Sequence, residues 1–285
     1  MTTAFVLSGG TSLGAIQVGM LQALAERGIK PDLVVGTSVR AFNAARIASQ
    51  PDRSDELAEI WRGLRRQPLF PVHPVGSVLG SLGRRNYLVS PAGLRELLER
   101  HPSFDRLEDA LIPLHVVATE LTTGREVLLS RGSAVDAILA SAAIPGIYPP
   151  VRIRGRELID SGVCDHTPIA QAIALGATTI YVLPTGYACA LVTPPLTPMG
   201  MILRVLTLVI QQRLIADIRE HEEHCDLHVL PPLCPLEVSP AEFDKADELI
   251  KRAYESTASW LAYARRRHGQ TALLSFHSRH RSKAP

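Results

Sequence analysis

The sequence predicts a layered α/β fold built around a largely parallel sheet. Short runs rich in Val, Ile and Leu alternate with segments of helical periodicity, the order in which parallel strands and their connecting helices occur. The chain has 285 residues, 46% of them apolar and 20% charged, which is enough for one full hydrophobic core. We see neither a fixed-period repeat nor a clear linker. Residues 1–268 are therefore assigned to one domain, and residues 269–285 to a basic tail.

Strands are predicted where short apolar runs end at Gly, Pro or small polar residues. Each of the first two is followed by a glycine-containing turn and then by a helical pattern. The predicted strands are residues 4–7, 33–35, 114–118, 126–129, 157–159, 178–183 and 227–230.

Helices are predicted from apolar residues three and four positions apart and from N-terminal caps. Ser54 and Ser133 are the predicted caps of two helices, and Pro91 is the predicted first residue of another. Residues 67–89, rich in Gly and Pro, are predicted to form a long loop of the kind that serves as a lid or binding loop. The predicted helices begin near residues 15, 41, 54, 91, 133, 198 and 240.

The composition argues against several classes of protein. A net charge of +2 does not point to nucleic acid, and four cysteines without a C-x-x-C pair argue against a disulfide framework or a zinc site. Residues 4–7 are too short for a secretory signal, and the apolar residues 199–210, interrupted by Arg204, are too short to span a bilayer. We expect a cytoplasmic protein with reduced thiols, no metal or cofactor, and no nucleic-acid partner.

The segment around Ser38 has the pattern of a nucleophile elbow, normally written G-x-S-x-G. Gly36, Thr37 and Ser38 lie between a predicted strand and a predicted helix. A tight turn there lifts the serine hydroxyl from the sheet edge and points the positive end of the helix at it. The alternative is that Ser38 only caps the following helix.

A second glycine turn follows the first strand, between Ser8 and Gly14. Main-chain N–H groups released by such glycines can hold an oxyanion. A P-loop would need Lys after its last Gly, where this chain has Ala15, and the spacing does not match a dinucleotide fingerprint. A plain tight turn remains the alternative.

Asp160 follows a short apolar strand and precedes Ser161 and Gly162. A carboxylate in that position can accept the proton of a serine hydroxyl. An ordinary Asp has a pKa of about 3.9 and is a weak base, which partial burial would improve. The alternative is a turn-forming Asp that binds its own backbone.

Taken together, these segments resemble the patatin-like phospholipase family, from Phe5 to about Arg267. The motifs occur in the family order: Leu7-Ser8-Gly9-Gly10 to Gly14 with Gln17-Val18-Gly19; Gly36-Thr37-Ser38 with Ala41 and Asn43-Ala44; Ala118-Thr119 with Thr122-Thr123-Gly124; Ala140-Ser141-Ala142-Ala143-Ile144-Pro145; and Asp160-Ser161-Gly162-Val163.

The resemblance implies a three-layer α/β/α fold and a Ser–Asp dyad without histidine or metal. Ser38 aligns with the nucleophile and Asp160 with the base. Gly9, Gly10 and the N–H of Thr11 align with the oxyanion turn. The implied activity is hydrolysis of acyl esters in lipids.

Three positions depart from the family pattern. Arg40 replaces the closing glycine of the elbow, Thr11 to Leu13 replace a Gly, a small residue and Arg, and Ser161 replaces Gly. Arg40 brings bulk into the turn and a cation to the wrong end of a helix. We expect either impaired chemistry, slightly favoured, or an anion site that takes over from the missing cation at Leu13.

Other residues suggest further alternatives. A conventional triad would recruit a histidine from His166, His221, His224 or His228, and the His221–His224 spacing also suits a metal pair, although solvated helix positions are favoured. Residues 199–215 would form a helix in the core or, less favoured, one that lies on a membrane. Residues 265–268 are expected on a solvated face, with anionic lipid headgroups as the alternative.

The sequence therefore predicts a lipid acyl hydrolase, cytoplasmic or peripherally attached to a membrane, whose partner is a lipid or acyl-ester substrate. Two other functions stay open: a lipid-binding or interaction module that has lost its chemistry through Arg40, and an acyltransferase or thioesterase with the same dyad. The sequence makes no prediction of oligomeric state.

Overall fold

A computed structural model describes residues 1–8, 13–65, 86–101, 104–163, 167–185, 194–196, 198–233 and 243–264. Predictions for the loop at 67–85, for Cys164, Cys189 and Cys234, and for residues 265–285 lie outside these ranges. Within them, Cys225 is a half-buried free thiol.

The centre of the molecule is an eight-stranded sheet. Hydrogen bonds join its strands in the order β5-β6-β3-β2-β1-β7-β8, with β4 also paired to β3. The strands β3, β2, β1, β7 and β8 are parallel to one another. The strands β4, β5 and β6 pair antiparallel with their neighbours. The strands are β1 Thr3–Leu7, β2 Leu33–Thr37, β3 Leu114–Glu120, β4 Glu126–Leu129, β5 Val151–Ile153, β6 Arg156–Ile159, β7 Thr179–Leu183 and β8 Asp226–Val229.

Helices cover both faces of the sheet, and alternate strand residues feed two cores. Phe5 and Leu7 of β1 join the larger core, whereas Ala4 and Val6 join the smaller one. The described helices are α1 Gly14–Glu26, α2 Arg40–Ser49, α3 Ser54–Gly63, α4 Ala92–Arg100, α5 Ala134–Ser141, α6 Ile169–Ala174, α7 Pro198–His221 and α8 Ala246–Ala264. The first five and α8 contribute to the larger core, and α6 and α7 to the smaller. The predicted α/β fold with a largely parallel sheet is confirmed, in three layers.

Some element boundaries differ from the predictions. Ser133 caps α5 as expected, its Oγ accepting from the N–H of Asp136 at 3.2 Å. Ser54 is the first residue of α3 and not its cap, and α4 begins one residue after Pro91. The strand Val151–Ile153 and helix α6 were not predicted, because three and six residues are too short for a periodic pattern.

Helix α7 corrects one expectation about packing. Leu214 and Ile218, in its second half, lie in the smaller core. Met201 and Val205, in its first half, are about half exposed, so the face of the helix that carries them is not buried in the core. None of the described helices has both the length and the apolar character that crossing a membrane would require.

Candidate active site

The turn between β2 and α2 is strained in the way a nucleophile elbow requires. Ser38 has φ of 56°, in the left-handed region that a non-glycine residue occupies at a cost of about 1 kcal/mol or more. A Cβ at Gly36 would lie 2.7 Å from Cβ of Ala44 and 2.8 Å from Cα of Ala41. Glycine at position 36 therefore lets α2 pack close against the end of its own strand.

The ladder of β3 explains why positions 38 and 160 meet. Residues 116 and 117 pair with both β2 and β4, and Thr119 pairs with both β4 and β6. Since a strand has only two edges, β2 and β6 share the same edge of β3. The two strands run towards each other along that edge, β2 ending at Thr37 and β6 at Ile159. The residues that follow these ends, Ser38 and Asp160, both lie opposite Ala118.

The two side chains are in direct contact. The hydroxyl of Ser38 donates to Oδ2 of Asp160 at 2.7 Å, and each residue is only 6% exposed. The Ser38 side chain does not cap α2, whose N-cap residue is Val39. The capping alternative for Ser38 is therefore wrong.

Asp160 uses its two carboxylate oxygens differently. Oδ1 accepts from the N–H of Gly162 at 2.7 Å, which is the turn-forming contact, while Oδ2 receives the serine hydroxyl. The main chain of Asp160 is held as well, its carbonyl accepting from Thr119 Oγ1 at 3.1 Å and its N–H donating to Ala143 O at 3.0 Å. The prediction of a turn-forming Asp therefore describes Oδ1, and the prediction of a partner for the serine hydroxyl describes Oδ2.

Burial sets the acidity of this carboxyl group. It raises the pKa of Asp160 to about 6, against the lowering effects of the Ser38 hydroxyl, the Gly162 N–H and the Arg40 charge. The group is thus ionised at neutral pH and is a stronger base than an exposed carboxylate.

Ser141, at the end of α5, forms hydrogen bonds with the main chain of Ser38 and of the neighbouring strand β3. Its hydroxyl accepts from the N–H of Ser38 at 2.7 Å and donates to the carbonyl of Val117 at 2.5 Å. Ser141 is completely buried. One hydroxyl therefore links the strained residue to the neighbouring strand.

Buried polar side chains bind the main chain at Ser8 and Gly14, on either side of the predicted glycine turn. The amide of Gln17 donates to the carbonyls of Ser8 and Leu183 at 3.2 and 2.8 Å. Asn43 on α2 donates to the carbonyl of Gly14 and to Oε1 of Gln17, both at 3.1 Å, and accepts from Trp61 Nε1 at 2.8 Å. The predicted oxyanion residues Gly9, Gly10 and Thr11 lie outside the described residues. The residues on either side, Ser8 and Gly14, are linked through Gln17 and Asn43 to α2, the helix that follows Ser38.

Arg40 is the largest fully buried side chain in the described part of the chain. Burial lowers the pKa of its guanidinium to about 9, and the charge of Asp160 opposes that shift. Because Arg40 has no exposed surface, it cannot meet a headgroup in solvent as the structure stands. Its charge instead acts on Asp160.

The histidine alternatives find no support among the described residues. His228 lies within β8, where its ring stacks on Tyr181 and its Nε2 lies 3.0 Å from Asp226 Oδ2. His221 and His224 precede β8, at the amino edge of the sheet, whereas Ser38 follows a carboxyl edge. His166 lies outside the described residues, and within them no three His, Cys, Asp or Glu side chains form a metal-binding group.

Sequence reasoning assigned no role to Gln17, Asn43, Trp61 or Ser141. The available signal was a polar residue inside an otherwise apolar helical stretch, as at Gln17 in α1 and Ser141 in α5. Such a residue needs a buried hydrogen-bond partner.

Comparison with known proteins gives a family match and several relatives. The family model described as patatin-like phospholipase matches residues 5–173. Lysophospholipase NTE1 of Mycosarcoma maydis is 27% identical over 196 residues, which are 65% of this chain and 10% of that protein. Patatin-like phospholipase domain-containing protein 6 of Homo sapiens is 30% identical over 194 residues, 65% of this chain and 13% of that protein.

A bacterial relative covers more of its own length. An uncharacterized NTE family protein of Mycobacterium tuberculosis is 28% identical over 216 residues, 71% of this chain and 34% of that protein. The match thus spans between a tenth and a third of these relatives. Among solved structures, VipD from Legionella pneumophila has a TM-score of 0.42 and 15% identity over 90% of this chain and 66% of that one, a likeness that carries no functional argument.

Proposed function

Because the chain belongs to the patatin-like phospholipase family, a family of ester hydrolases, we propose that it cleaves acyl esters of lipids through Ser38 and Asp160. The observation that carries the proposal is the 2.7 Å hydrogen bond between the two side chains at a strained elbow. The hydrolase domain is residues 1–268. Its location is the cytoplasm or the surface of a membrane.

The first half of the reaction forms an acyl-enzyme. Oγ of Ser38 attacks the ester carbonyl carbon while Asp160 Oδ2 takes the hydroxyl proton. The tetrahedral intermediate collapses, the carbon–oxygen bond of the ester breaks, and the leaving alcohol takes the proton from Asp160. The acyl group is then bound to Ser38.

The second half returns the enzyme to its starting state. Asp160 accepts a proton from an attacking water, and the hydroxide adds to the acyl carbon. The Ser38 oxygen leaves and recovers the proton, and a carboxylic acid is released. A carboxylate with a pKa of about 6 suits both proton transfers near neutral pH.

The oxyanion is assigned to the N–H groups of Gly9, Gly10 and Thr11. The support for this assignment is the anchoring of Ser8 and Gly14, on either side of the turn, by Gln17 and Asn43. Flanking residues held by buried hydrogen bonds favour donors that do not have to reorganise during the reaction.

Ester hydrolysis by designed variants tests the proposal. The substrates are short- and medium-chain p-nitrophenyl esters, followed by phospholipids. We expect Ser38→Ala to abolish hydrolysis and labelling by a fluorophosphonate, and Asp160→Asn to lower kcat by about a thousandfold. Ser49→Ala, on the same helix as the elbow, is the matched control and should keep full activity.

Arg40→Gly separates the remaining functions. An unlabelled parent that recovers labelling in Arg40→Gly would be a disabled hydrolase with an intact dyad. Absence of labelling in both proteins would refute the dyad and favour the lipid-binding module. Transfer of the acyl group to an alcohol or thiol in preference to water would identify an acyltransferase.

A further inference from the structure

The exposed face of α7 is apolar in the first half of the helix and mostly polar in the second half. Met201, Val205, Leu208 and Val209 fall within about 100° of arc on an α-helix and are 40–59% exposed. The same stripe continues through Gln212, Ala216, Arg219 and Glu220, which are also exposed but mostly polar. A solvated helix would be polar along its whole outer stripe, so the first half departs from that pattern.

The apolar half lies at the active-site edge of the sheet. Helix α7 connects β7 to β8, which are parallel, so it runs from the carboxyl edge back to the amino edge. Ser38 and the glycine turn follow β2 and β1 at that same carboxyl edge.

Length places the apolar half beyond the sheet. The 24 residues of α7 extend for about 36 Å, whereas strands of four or five residues extend for about 13–17 Å. Leu214 and Ile218, in the second half of the helix, lie in the smaller core. In the first half, the described side chains of Met201, Val205, Leu208 and Val209 are exposed. The first half of α7 therefore projects past the edge that carries Ser38.

The charge of this region suits an anionic surface. Between Asp165 and Asp217 the sequence has no Asp or Glu, and its charged residues there are Arg204 and Arg213. Arg213 pairs with Asp217 at 2.8 Å in the second half of the helix, and the half-buried Arg204 lies in the first half. An exposed apolar stripe within a run of sequence that has two arginines and no carboxylate favours anionic lipid headgroups over an acidic protein face.

We propose that the projecting half of α7, through Met201, Val205, Leu208 and Val209, docks on an anionic lipid bilayer and holds the Ser38 edge against it. The inference rests on the proposed lipid hydrolase function for its choice of partner. Apolar side chains enter the headgroup region while Arg204 pairs with lipid phosphate. The acyl ester then reaches Ser38 from the bilayer and not from free solution.

Vesicle flotation of the full chain carrying Ser38→Ala tests this docking surface without consuming lipid. The vesicles are phosphatidylcholine alone and phosphatidylcholine mixed with phosphatidylglycerol. Val205→Gln with Val209→Gln should weaken binding to the mixed vesicles by about tenfold, because the double variant loses two half-exposed apolar side chains that would otherwise be buried in the bilayer interface. Ala216→Gln, on the polar half of the stripe, should bind like its parent. Binding to phosphatidylcholine alone should be several-fold weaker.

Two further measurements separate the docking surface from the chemistry. In the background with Ser38 intact, Val205→Gln with Val209→Gln should hydrolyse a soluble p-nitrophenyl ester at the parent rate and lose activity only on vesicles. A protein that hydrolyses no ester but still needs Val205 and Val209 to bind vesicles would support docking while refuting the hydrolase.

Three results would overturn the docking surface. These are vesicle binding unchanged by Val205→Gln with Val209→Gln, no preference for the anionic vesicles, or a parent that binds neither kind. A dimer that the same double variant converts to a monomer in sedimentation velocity, without vesicle binding, would assign the stripe to a second copy of the chain.

Discussion

Arg40 and Asp160, two residues of opposite charge, are buried near the candidate nucleophile Ser38. Asp160 and Arg40 are both buried, and each partly offsets what burial does to the acidity of the other. Removing only one of two such charges takes this offset away from the other. At the scale of single residues, the Arg40 charge therefore adds to the hydrogen bonds from Ser38 and Gly162 in lowering the pKa of Asp160, and the bulk of Arg40 is accommodated in the core.

The pH dependence of activity tests this role of Arg40. For the parent, kcat/KM should fall as pH drops through about 6, because the protonated form of Asp160 cannot accept the Ser38 proton. Arg40→Met keeps volume but removes the charge that lowers the pKa of Asp160, so the acid limb should move to higher pH. Rates at pH 5 to 9 on a soluble ester measure the shift.

Arg46→Met is the control for that measurement. Arg46 lies on the same helix, its side chain is 11% exposed, and it pairs with Glu56 at 3.2 Å. Its loss should leave the acid limb in place. If both variants move the limb equally, or neither does, the charge of Arg40 does not govern Asp160.

At the scale of elements, the site is held where the ends of β2, β3, β6 and α5 converge. The strained residue Ser38 has its N–H bound by Ser141, and the carboxyl residue has its main chain bound by Thr119 and Ala143. Strain at an elbow persists only when its surroundings hold it. The end of α5 is thus part of the support of the elbow.

Ser141→Ala should lower kcat by about tenfold or more with little change in KM. The loss of its hydroxyl frees the N–H of Ser38 and the carbonyl of Val117, both inside the protein, and destabilises the fold by about 1–3 kcal/mol. Ser133→Ala, at the other end of α5, removes an N-cap bond and should cost about 1 kcal/mol without changing kcat. Urea unfolding and ester kinetics of both variants separate the two effects. Equal kcat in both would show that Ser141 only stabilises.

At the scale of the whole molecule, α1 and α8 bring the two ends of the described chain together. The helices approach closely at Gly19, where a Cβ would lie 2.1 Å from the carbonyl oxygen of Ile250 and 2.7 Å from the N of Tyr254. These contacts are main-chain atoms that cannot rotate away. Glycine is needed there for packing and not for its dihedral angles.

Gly19→Ala should therefore destabilise the protein by about 1–3 kcal/mol through separation of α1 from α8. Gly63→Ala is the matched helical control, since a Cβ at that position meets nothing within 4 Å. We expect it to be neutral or to stabilise by up to about 1 kcal/mol. Midpoints of urea unfolding measure both, and a neutral Gly19→Ala would contradict this close approach.

Long, periodic segments were predicted well, and short or long-range features were not. The strand ending at Leu7 and helices α1, α5 and α7 follow from local patterns, and the second strand extends two residues beyond the predicted end at Val35. The strand Val151–Ile153 and helix α6 carry too few residues for a pattern. The capping reading of Ser38 failed because a side-chain partner 122 positions away outcompeted a local one.

The sequence by itself determined the α/β class and the family, and it predicted the elbow and the candidate pair Ser38 and Asp160, since each depends on local order along the chain. Only the tertiary structure decided that Arg40 is buried, that Ser141 binds the main chain of Ser38 and that Met201 and Val205 of α7 are exposed. The reason is physical: burial and charge coupling depend on which surfaces meet. In this chain the meeting point is the shared edge of β3, where two strands distant in sequence end opposite the same residue.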